Sequence, residues 1–347
     1  MMERERILEL PLGGRKVTDL VVLTGAAVQV GQSPTWGMNT GVNISAAGGR
    51  GFGVGYSLDG AMHTNRFDAT NMPLPFPDSL QEFRVNTSTQ DASTARSSGA
   101  SVSSVTKSGT NAFHGDAFWY VRNSVFNAQQ ASATRKDQLK RNQFGGTIGG
   151  PVLKNKLFFF AGYQGTEERN TPSGTLSIVP TAAILRGDWT RFNQCFSPNW
   201  KDKTSDLAKG SIDPAKYSKA AMLLAAKLPQ PQDDCGNLRW GSPIINSEKQ
   251  IVQRVDYQRS AKQSFFGRYF TVMQDSPVPY DKANLLTAGP SGNADRARML
   301  VGGHTWVINP NMVNTARFTN NRISVYKIGS SVFAHGTPKT RTSMRTA

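Results

Sequence analysis

From Phe113 onward the chain alternates apolar and polar residues in segments of about ten, a period of two that belongs to β-strands. Seven such segments are predicted, at about 113–122, 142–151, 157–167, 250–259, 264–273, 297–307 and 312–323. In the first, Phe113, Ala117, Trp119 and Val121 share one face, and His114, Asp116, Tyr120 and Arg122 share the other. The fourth repeats the pattern, with Ile251, Val255 and Tyr257 opposite Arg254, Asp256 and Gln258. A strand with one apolar and one charged face suits a barrel wall that meets lipid outside and a polar lumen inside.

The connections between these segments sharpen the picture. Those at Leu153–Lys156, Ser260–Gln263 and Ile308–Asn311 are short, while the intervening ones are long, the greatest running over about 169–249. Strict alternation of short and long connections is the habit of outer-membrane barrels, with turns on the periplasmic side and loops outside. Cys195 and Cys235 allow one disulfide or remain two thiols. Both fall in the longest loop, outside the cell on this parity, where a disulfide persists. Seven strands do not close a transporter barrel, which takes about 22, and an open edge in lipid leaves backbone groups unpaired.

Residues 1–110 have a different texture and read as a compact α+β unit. Leu8, Leu10, Leu12, Val17, Leu20 and Leu23 have a spacing compatible with a short helix after Pro11, with Gly25 as its terminator. Phe52, Val54, Tyr56 and Leu58 alternate through a Gly-rich stretch and predict a strand. Pro73, Pro75 and Pro77 exclude regular structure there, and Asp78 or Ser79 can cap a short helix holding Leu80 and Phe83. The run Ser98–Thr110 alternates small and β-branched residues before a turn.

Composition changes this picture little. Hydrophobic residues make up 38% of the 347 and charged residues 18%, with 33 Gly, which leans towards β structure with polar loops. The net charge of +16 would raise nucleic acid as a partner. Residues 1–110, however, hold nine basic and nine acidic side chains, so the whole excess lies in the strand-rich region. No RNP1 element or other nucleic-acid module accompanies it, and arginines such as Arg254, Arg268 and Arg317 on alternating strands suit a polar lumen better. No stretch reaches the ~18 apolar residues of a membrane-spanning helix, and Met1–Leu12 lacks a signal-peptide core. The true N-terminus is therefore expected to lie upstream.

Several motifs, in order, resemble one family. Glu9–Leu23, ELPLGGRKVTDLVVL, is similar to the opening of plug domains in the Oar-like branch of TonB-dependent outer-membrane receptors, with Gly13 where that family often has Asn. Arg50–Gly60, RGFGVGYSLDG, resembles the plug's RG…LDG element through Arg50, Gly51, Phe52, Leu58, Asp59 and Gly60. Ser79–Val85, SLQEFRV, resembles its helix and following strand, and Gly99–Thr110 the segment that ends the plug. Arg141–Pro151, RNQFGGTIGGP, with Lys154–Tyr163, KNKLFFFAGY, resembles the first barrel hairpin.

The resemblance implies a plug domain over 1–110 and the N-terminal part of a barrel over 111–326, followed by a polar tail at 327–347 that reads as truncated or frameshifted. The fold class is thus an α+β plug followed by an incomplete antiparallel transmembrane β-barrel of about seven strands. The implied place is the outer membrane of a Gram-negative bacterium, and the implied function is ligand binding with energy-coupled uptake. The implied partners are outer-membrane lipid, a small or oligomeric ligand and the TonB-ExbB-ExbD complex of the inner membrane. The β-sandwich that precedes the plug in this branch, and the segment that engages TonB, are not among these residues. Asp116, Arg122, Arg254, Asp256, Arg268 and Arg317 are the candidate lumen-facing groups.

GRGFGVG lacks the GxGxxG spacing that brings backbone to a pyrophosphate, and no GxxxxGK[ST] occurs. Gly55–Asp59 misses the GxSxG nucleophile elbow by one residue. His63, His114, His304 and His335 are scattered, without HExxH or CxxC, and Asp233 and Asp234 read as a solvated loop. No catalytic, cofactor or metal site is expected, and the chain does not read as an enzyme. Phe158, Phe159, Phe160, Tyr163, Phe265, Phe266, Tyr269 and Phe270 fit an aromatic girdle just beyond the periplasmic turns, or the core of a soluble sandwich. Two rival functions stay open: a surface adhesion or assembly protein that uses the same barrel without transport, and a soluble β-rich binding protein.

Overall fold

The computed structural model describes residues 2–3, 9–10, 12, 14–23, 25–32, 42–51, 53–65, 71–87, 99–129, 136, 138–171, 175–193, 195, 210–279, 281, 284–288, 292–328 and 340–346. Phe52, Leu8, Pro11, Gly13 and His335 lie outside them.

The N-terminal part is built on a sheet of β1 (Met2–Glu3), β4 (Val54–Leu58), β5 (Ala61–Met62), β6 (Leu80–Asn86) and β7 (Ala100–Thr106), in the order β1-β6-β7-β4-β5. Strand β4 runs parallel to β7, and the other pairs are antiparallel. A separate ribbon pairs β2 (Ala27–Gln32) with β3 (Val42–Ala46). The predicted first helix exists as one turn, α1 (Asp19–Val22), which buries Leu20 and Val21 beside Val17. Leu23 is exposed.

The second expected helix is not formed. Pro77–Ser79 makes a single 3-10 turn, and Leu80 and Phe83 belong to β6 instead. Two β-branched or aromatic residues and a ladder partner on β7 outweigh the capping signal, since a one-turn helix gains few hydrogen bonds for the backbone it fixes.

Seven strands lie where the alternation predicts them: β8 (His114–Asn123), β9 (Lys140–Leu153), β10 (Leu157–Asn170), β13 (Ile244–Ser260), β14 (Gln263–Ser276), β15 (Gly292–Asn309) and β16 (Met312–Ile328). All pair antiparallel, each with its neighbour in this succession. Most are 14 to 18 residues long rather than about ten. About 9–11 residues suffice to cross a membrane at a tilt near 45°, so these strands are longer than a crossing requires.

Among the described residues the large sheet has eight strands, against an expected count of about seven. Residues 340–346, in the tail read as patternless, form β17 and pair with β16 from Asn321↔Thr346 to Lys327↔Thr340. The alternation of Thr, Arg and Ser there has no apolar face, so a periodicity test passes over it, whereas backbone pairing needs no apolar side chain. Among the described residues the sheet stays open, with β8 and β17 at its edges.

Connections at 154–156, 261–262 and 310–311 are tight, and those at 124–139, 171–243, 277–291 and 329–339 are long. The longest is not structureless: β11 (Thr175–Ile178) pairs with β12 (Asn237–Trp240), and α2 (Ala182–Leu185), α3 (Thr190–Asn193) and α4 (Lys219–Ala225) lie between them.

One face of the large sheet receives the N-terminal part. A single apolar cluster joins Leu20, Ile44, Tyr56, Leu58, Phe76, Leu80 and Phe83 to Phe160, Val252, Phe270, Val272 and Met299 of the wall. Each fully buried side chain of this kind is worth roughly 1.5–3 kcal/mol. Gly162 has no side chain to obstruct that docking, for a Cβ there would lie 2.9 Å from Phe76 Cζ. The opposite face of the large sheet carries exposed Trp119, Ile148, Val255, Tyr257, Leu300, Trp306 and Phe318.

The aromatic girdle is accordingly halved. By register and period, Phe159, Tyr163, Phe265 and Tyr269 point outward with Val255, while Phe160 and Phe270 are buried against the N-terminal part. Phe158 and Phe266 share that inner face. Consecutive strand residues cannot all face lipid.

Candidate functional site

The two layers are joined through Asp59. Strands β4 and β5 meet in a two-residue Asp-Gly turn, with φ +54° at Asp59 and +75° at Gly60, the left-handed pair that a tight hairpin demands. The turn sets Asp59 beside the end of β7, where its backbone N–H donates to Ser104 O at 2.9 Å. Its carboxylate reaches across to the end of β7. Oδ1 accepts from the Thr106 N–H at 2.8 Å and from the Thr106 hydroxyl at 3.0 Å.

Two wall arginines close on that carboxylate. Arg254, on β13, donates from Nη1 to Asp59 Oδ1 at 3.1 Å and to the Thr106 carbonyl at 3.0 Å. Its other nitrogens grip Asp256 two residues along, at 2.8 and 3.0 Å. Arg268, on β14, stands with Nε 3.0 Å from Asp59 Oδ2, an ion pair without hydrogen-bond alignment, and its side chain is 1% exposed. Arg254 and Arg268 oppose each other across the ladder. Like charges so placed repel, and Asp59 between them removes that cost.

Below this centre, the guanidinium groups of Arg254 and Arg317 both lie 5.0 Å from the Phe266 ring. They line a cleft of about 420 Å³ with Asp59, Asp256 and Gln258, at the tight-turn end of the wall. Its two guanidinium groups, of Arg254 and Arg317, are balanced by the two carboxylates of Asp59 and Asp256.

A second set of contacts lies nearer the long loops. Arg15 pairs with Asp78 and stacks over Tyr120 at 3.9 Å and Phe118 at 4.9 Å, both on β8. Lys107 pairs with Asp116 at 3.7 Å. Arg141 and Gln143 of β9 donate to the Gly14 carbonyl at 3.1 and 3.2 Å. A small cleft of about 60 Å³ opens here among Arg15, Asn71, Arg141, Gln164, Glu248 and Gln250. Within it the Nε atoms of Arg15 and Arg141 and the Oε1 atoms of Gln164 and Gln250 are buried without a hydrogen-bond partner among the described residues. Donors and acceptors therefore converge on space suited to a polar group. Burial pushes the Asp78 carboxyl up despite Arg15 beside it.

His63 is buried between the layers, its Nε2 2.7 Å from the Pro73 carbonyl. Burial, then the nearby charge of Arg268, pushes it down to about 3, so it stays neutral. Among the described residues no group of three or more His, Cys, Asp or Glu is placed to hold a metal ion.

The remaining sequence candidates fall as follows. Cys195 and Cys235 are joined in a disulfide with Cα atoms 5.6 Å apart, within the long loop. Asp233 in that loop accepts from the Cys235 and Asn237 backbones, which hold it below the usual carboxylate range together with the Asn237 side chain. Arg50 and Gly51 precede β4 at the surface, and Leu58 is fully buried. Asp116, Arg254, Asp256, Arg268 and Arg317 all lie on the face turned to the N-terminal part; Arg122 shares that face but sits exposed on the edge strand, opposite Arg141. Reasoning from sequence missed Thr106, Arg15, Asp78 and Lys107. Only the stand-alone charge of Lys107 in an otherwise uncharged run marked any of them.

Comparison with known proteins is consistent with this geometry. Residues 105–343 match the model of the outer membrane beta barrel domain family. Over 151 residues the chain is 32% identical to the TonB-dependent transporter Oar of Myxococcus xanthus, which spans 41% of this chain and 14% of that protein. Among solved structures, a mutant of the ferric enterobactin receptor of Pseudomonas aeruginosa in complex with enterobactin superposes with a TM-score of 0.57 at 12% identity, covering 99% of this chain and 45% of that one. The outer membrane transporter YddB of Escherichia coli gives 0.57 at 14% identity, covering 98% and 42%. These likenesses fix the fold, and the chain spans less than half the length of each of these proteins.

Proposed function

Because the chain belongs to the outer membrane beta barrel domain family, we propose that it supplies the plug and the first wall strands of a TonB-dependent receptor. Its place is the outer membrane of a Gram-negative bacterium, and its class is transport or reception rather than catalysis. Residues 1–110 act as the plug, and the wall runs from residue 111 through β16, with β17 as its next strand. In the complete protein, further strands pair with the open edges, which otherwise leave backbone groups unsatisfied in lipid at several kcal/mol each.

The observation that carries this reading is the closure of Arg254 and Arg268 on Asp59, which ties a small sheet to the inner face of a strand wall. Ligand enters on the long-loop side and meets the cleft around Arg15, Arg141 and Gln250. The TonB-ExbB-ExbD complex then pulls or remodels the plug from the tight-turn side, where the Asp59 contacts must part. The cleft on the long-loop side, with Arg15, Lys16 and Arg141 against Glu248, favours an anionic ligand, such as an acidic oligosaccharide or peptide. The exposed apolar face with Trp119, Leu300 and Phe318 argues against a soluble binding protein.

The test is uptake in cells lacking the complete receptor, in cells lacking TonB, and in the wild type, with matched acidic and neutral oligosaccharides and peptides. Loss of the same uptake in both mutants, strongest for acidic compounds, is expected. Intact uptake with lost surface attachment would favour the adhesion reading, and equal uptake of neutral and acidic compounds would remove the charge preference.

A further inference from the structure

The outward face of β13–β16 changes character along its length. Near the tight turns it is aromatic: Tyr257 stacks on Phe265 and Phe265 on His304, with ring centroids 6.3 and 4.2 Å apart, and Trp306 is close by in the ladder. Further along, Val255 and Phe318 are exposed, and then come Gln253, Tyr269, Leu300 and Asn320 in one row. The next row reads Ile251, Thr271, Arg298 and Arg322, and the one after it Lys249, Met273, Arg296 and Ser324. Arg345 holds the register position beyond Arg322 on β17.

Arg298 and Arg322 are directly opposite each other across an antiparallel pair. Like charges at that spacing destabilise a sheet, and neither arginine makes an ion pair among the described residues. The outward acids one row higher are engaged: Asp275 binds Arg296 at 2.8 Å, and Glu167 accepts the Ser247 hydroxyl at 2.7 Å. Lys249 and Arg298 are exposed. The arrangement therefore holds uncompensated positive charge on a face that otherwise meets hydrocarbon.

Its height identifies the missing anion. Arg298 lies eight residues from Trp306 along β15. At ~3.4 Å per residue and a tilt of ~40°, that is about 21 Å along the membrane normal, close to the upper margin of an apolar band ~25 Å tall. On the loop side this margin is the headgroup level of the outer leaflet, which in this membrane is a phosphorylated glycolipid. Basic clusters at headgroup level bind anionic lipid heads.

We propose that Lys249, Arg298 and Arg322, with Arg296 beside them, form a binding site on the outer wall for the phosphate groups of lipid A. The site is separate from the ligand path inside the wall. It rests on the placement of this wall in the outer membrane with its long loops outside.

The test uses the complete receptor purified in neutral detergent, with native mass spectrometry counting bound phosphorylated lipid A, its dephosphorylated form and inorganic phosphate. Each basic residue near the headgroups is worth about fivefold in affinity. R298Q with R322Q should therefore weaken binding of phosphorylated lipid A by about twentyfold, and K249Q by about fivefold, while R298K with R322K stays within about threefold. Dephosphorylated lipid A should bind the wild type no better than it binds the double variant. Inorganic phosphate at millimolar concentration should not displace the lipid; displacement would mean a site for free phosphate and overturn the lipid assignment. Equal binding by wild type and double variant, or by both lipid forms, would also overturn it. Membrane fractionation separates the two claims: a receptor absent from the outer membrane defeats the placement itself, whereas one present there but indifferent to lipid phosphate defeats only this site.

Discussion

Replacing Asp59 with Asn removes one charge with almost no change in shape, at a point where that charge is the counterion of two arginines. Arg254 keeps Asp256 at 2.8 Å. Arg268 is less fortunate: its side chain is 1% exposed, it stands across the ladder from Arg254, and Asp59 is the carboxylate it faces. Removing one partner of a buried ion pair costs about 3–5 kcal/mol. The Asn carbonyl can still accept the Thr106 N–H, so the lower end applies, about 3 kcal/mol. At ~1.4 kcal/mol per factor of ten, opening of the small sheet away from the wall should become roughly a hundred times more frequent. Hydrogen exchange of the complete receptor in detergent reads this directly, through the amides of 54–62 and 100–106. Those should exchange about a hundredfold faster in the variant, with the ladder between β9 and β10 unchanged. Adding Arg268→Met should recover much of the loss, because an apolar side chain of similar length leaves no buried charge to satisfy. Exchange within threefold of wild type in Asp59→Asn, or no recovery in the double variant, would refute the assignment of this contact as the tie between the layers.

Three further outcomes follow from the same geometry. His63 is pushed down to about 3 in the folded protein, against an ordinary 6.5, so the unfolded state binds more protons between those values. Stability present above pH 6.5 is lost as pH falls towards 3, at up to roughly 1.4 kcal/mol per pH unit, and His63→Asn should flatten that slope in thermal melts at pH 7 and 4.5; equal slopes would contradict the burial of this ring. Cys195 and Cys235 close a loop at a sequence separation of 40, worth roughly 4 kcal/mol of chain entropy, so changing both to Ser should accelerate protease cleavage within 171–243 and leave the wall intact. Unaltered cleavage would count against a structural role for the bond. Phe318 is 65% exposed on the outward face, beyond the row of Tyr257, Phe265 and His304 and further still from Trp306, whose ladder partner is Asn314, and Phe318→Arg should destabilise membrane insertion by about 2–4 kcal/mol in refolding titrations into bilayers; a neutral result would mean that this face does not meet hydrocarbon.

What the sequence determined by itself was the wall. Period-two alternation located seven of the eight strands among the described residues, because each had to present one apolar and one polar face, and the short connections made them antiparallel neighbours. The disulfide partners needed no geometry to propose, since there are two cysteines. The short helix expected at Leu80 and the missing strand at 340–346 mark where local pattern fails: a ladder partner overrides a capping signal in the first, and supplies pairing without any apolar face in the second. The tie between the layers was out of reach for a further reason. Asp59, Thr106, Arg254 and Arg268 are 148 to 195 residues apart across the layers at the contacts of Arg254, and no local rule relates them. Only register places Arg254 opposite Arg268, and only the docking of the small sheet brings a carboxylate between them. The same holds outside, where Arg298 and Arg322 look like scattered surface charge in sequence and become a facing pair once β15 and β16 are aligned. Alternation is a property of one strand, but which charges meet is a property of the pairing between strands and of what packs against them.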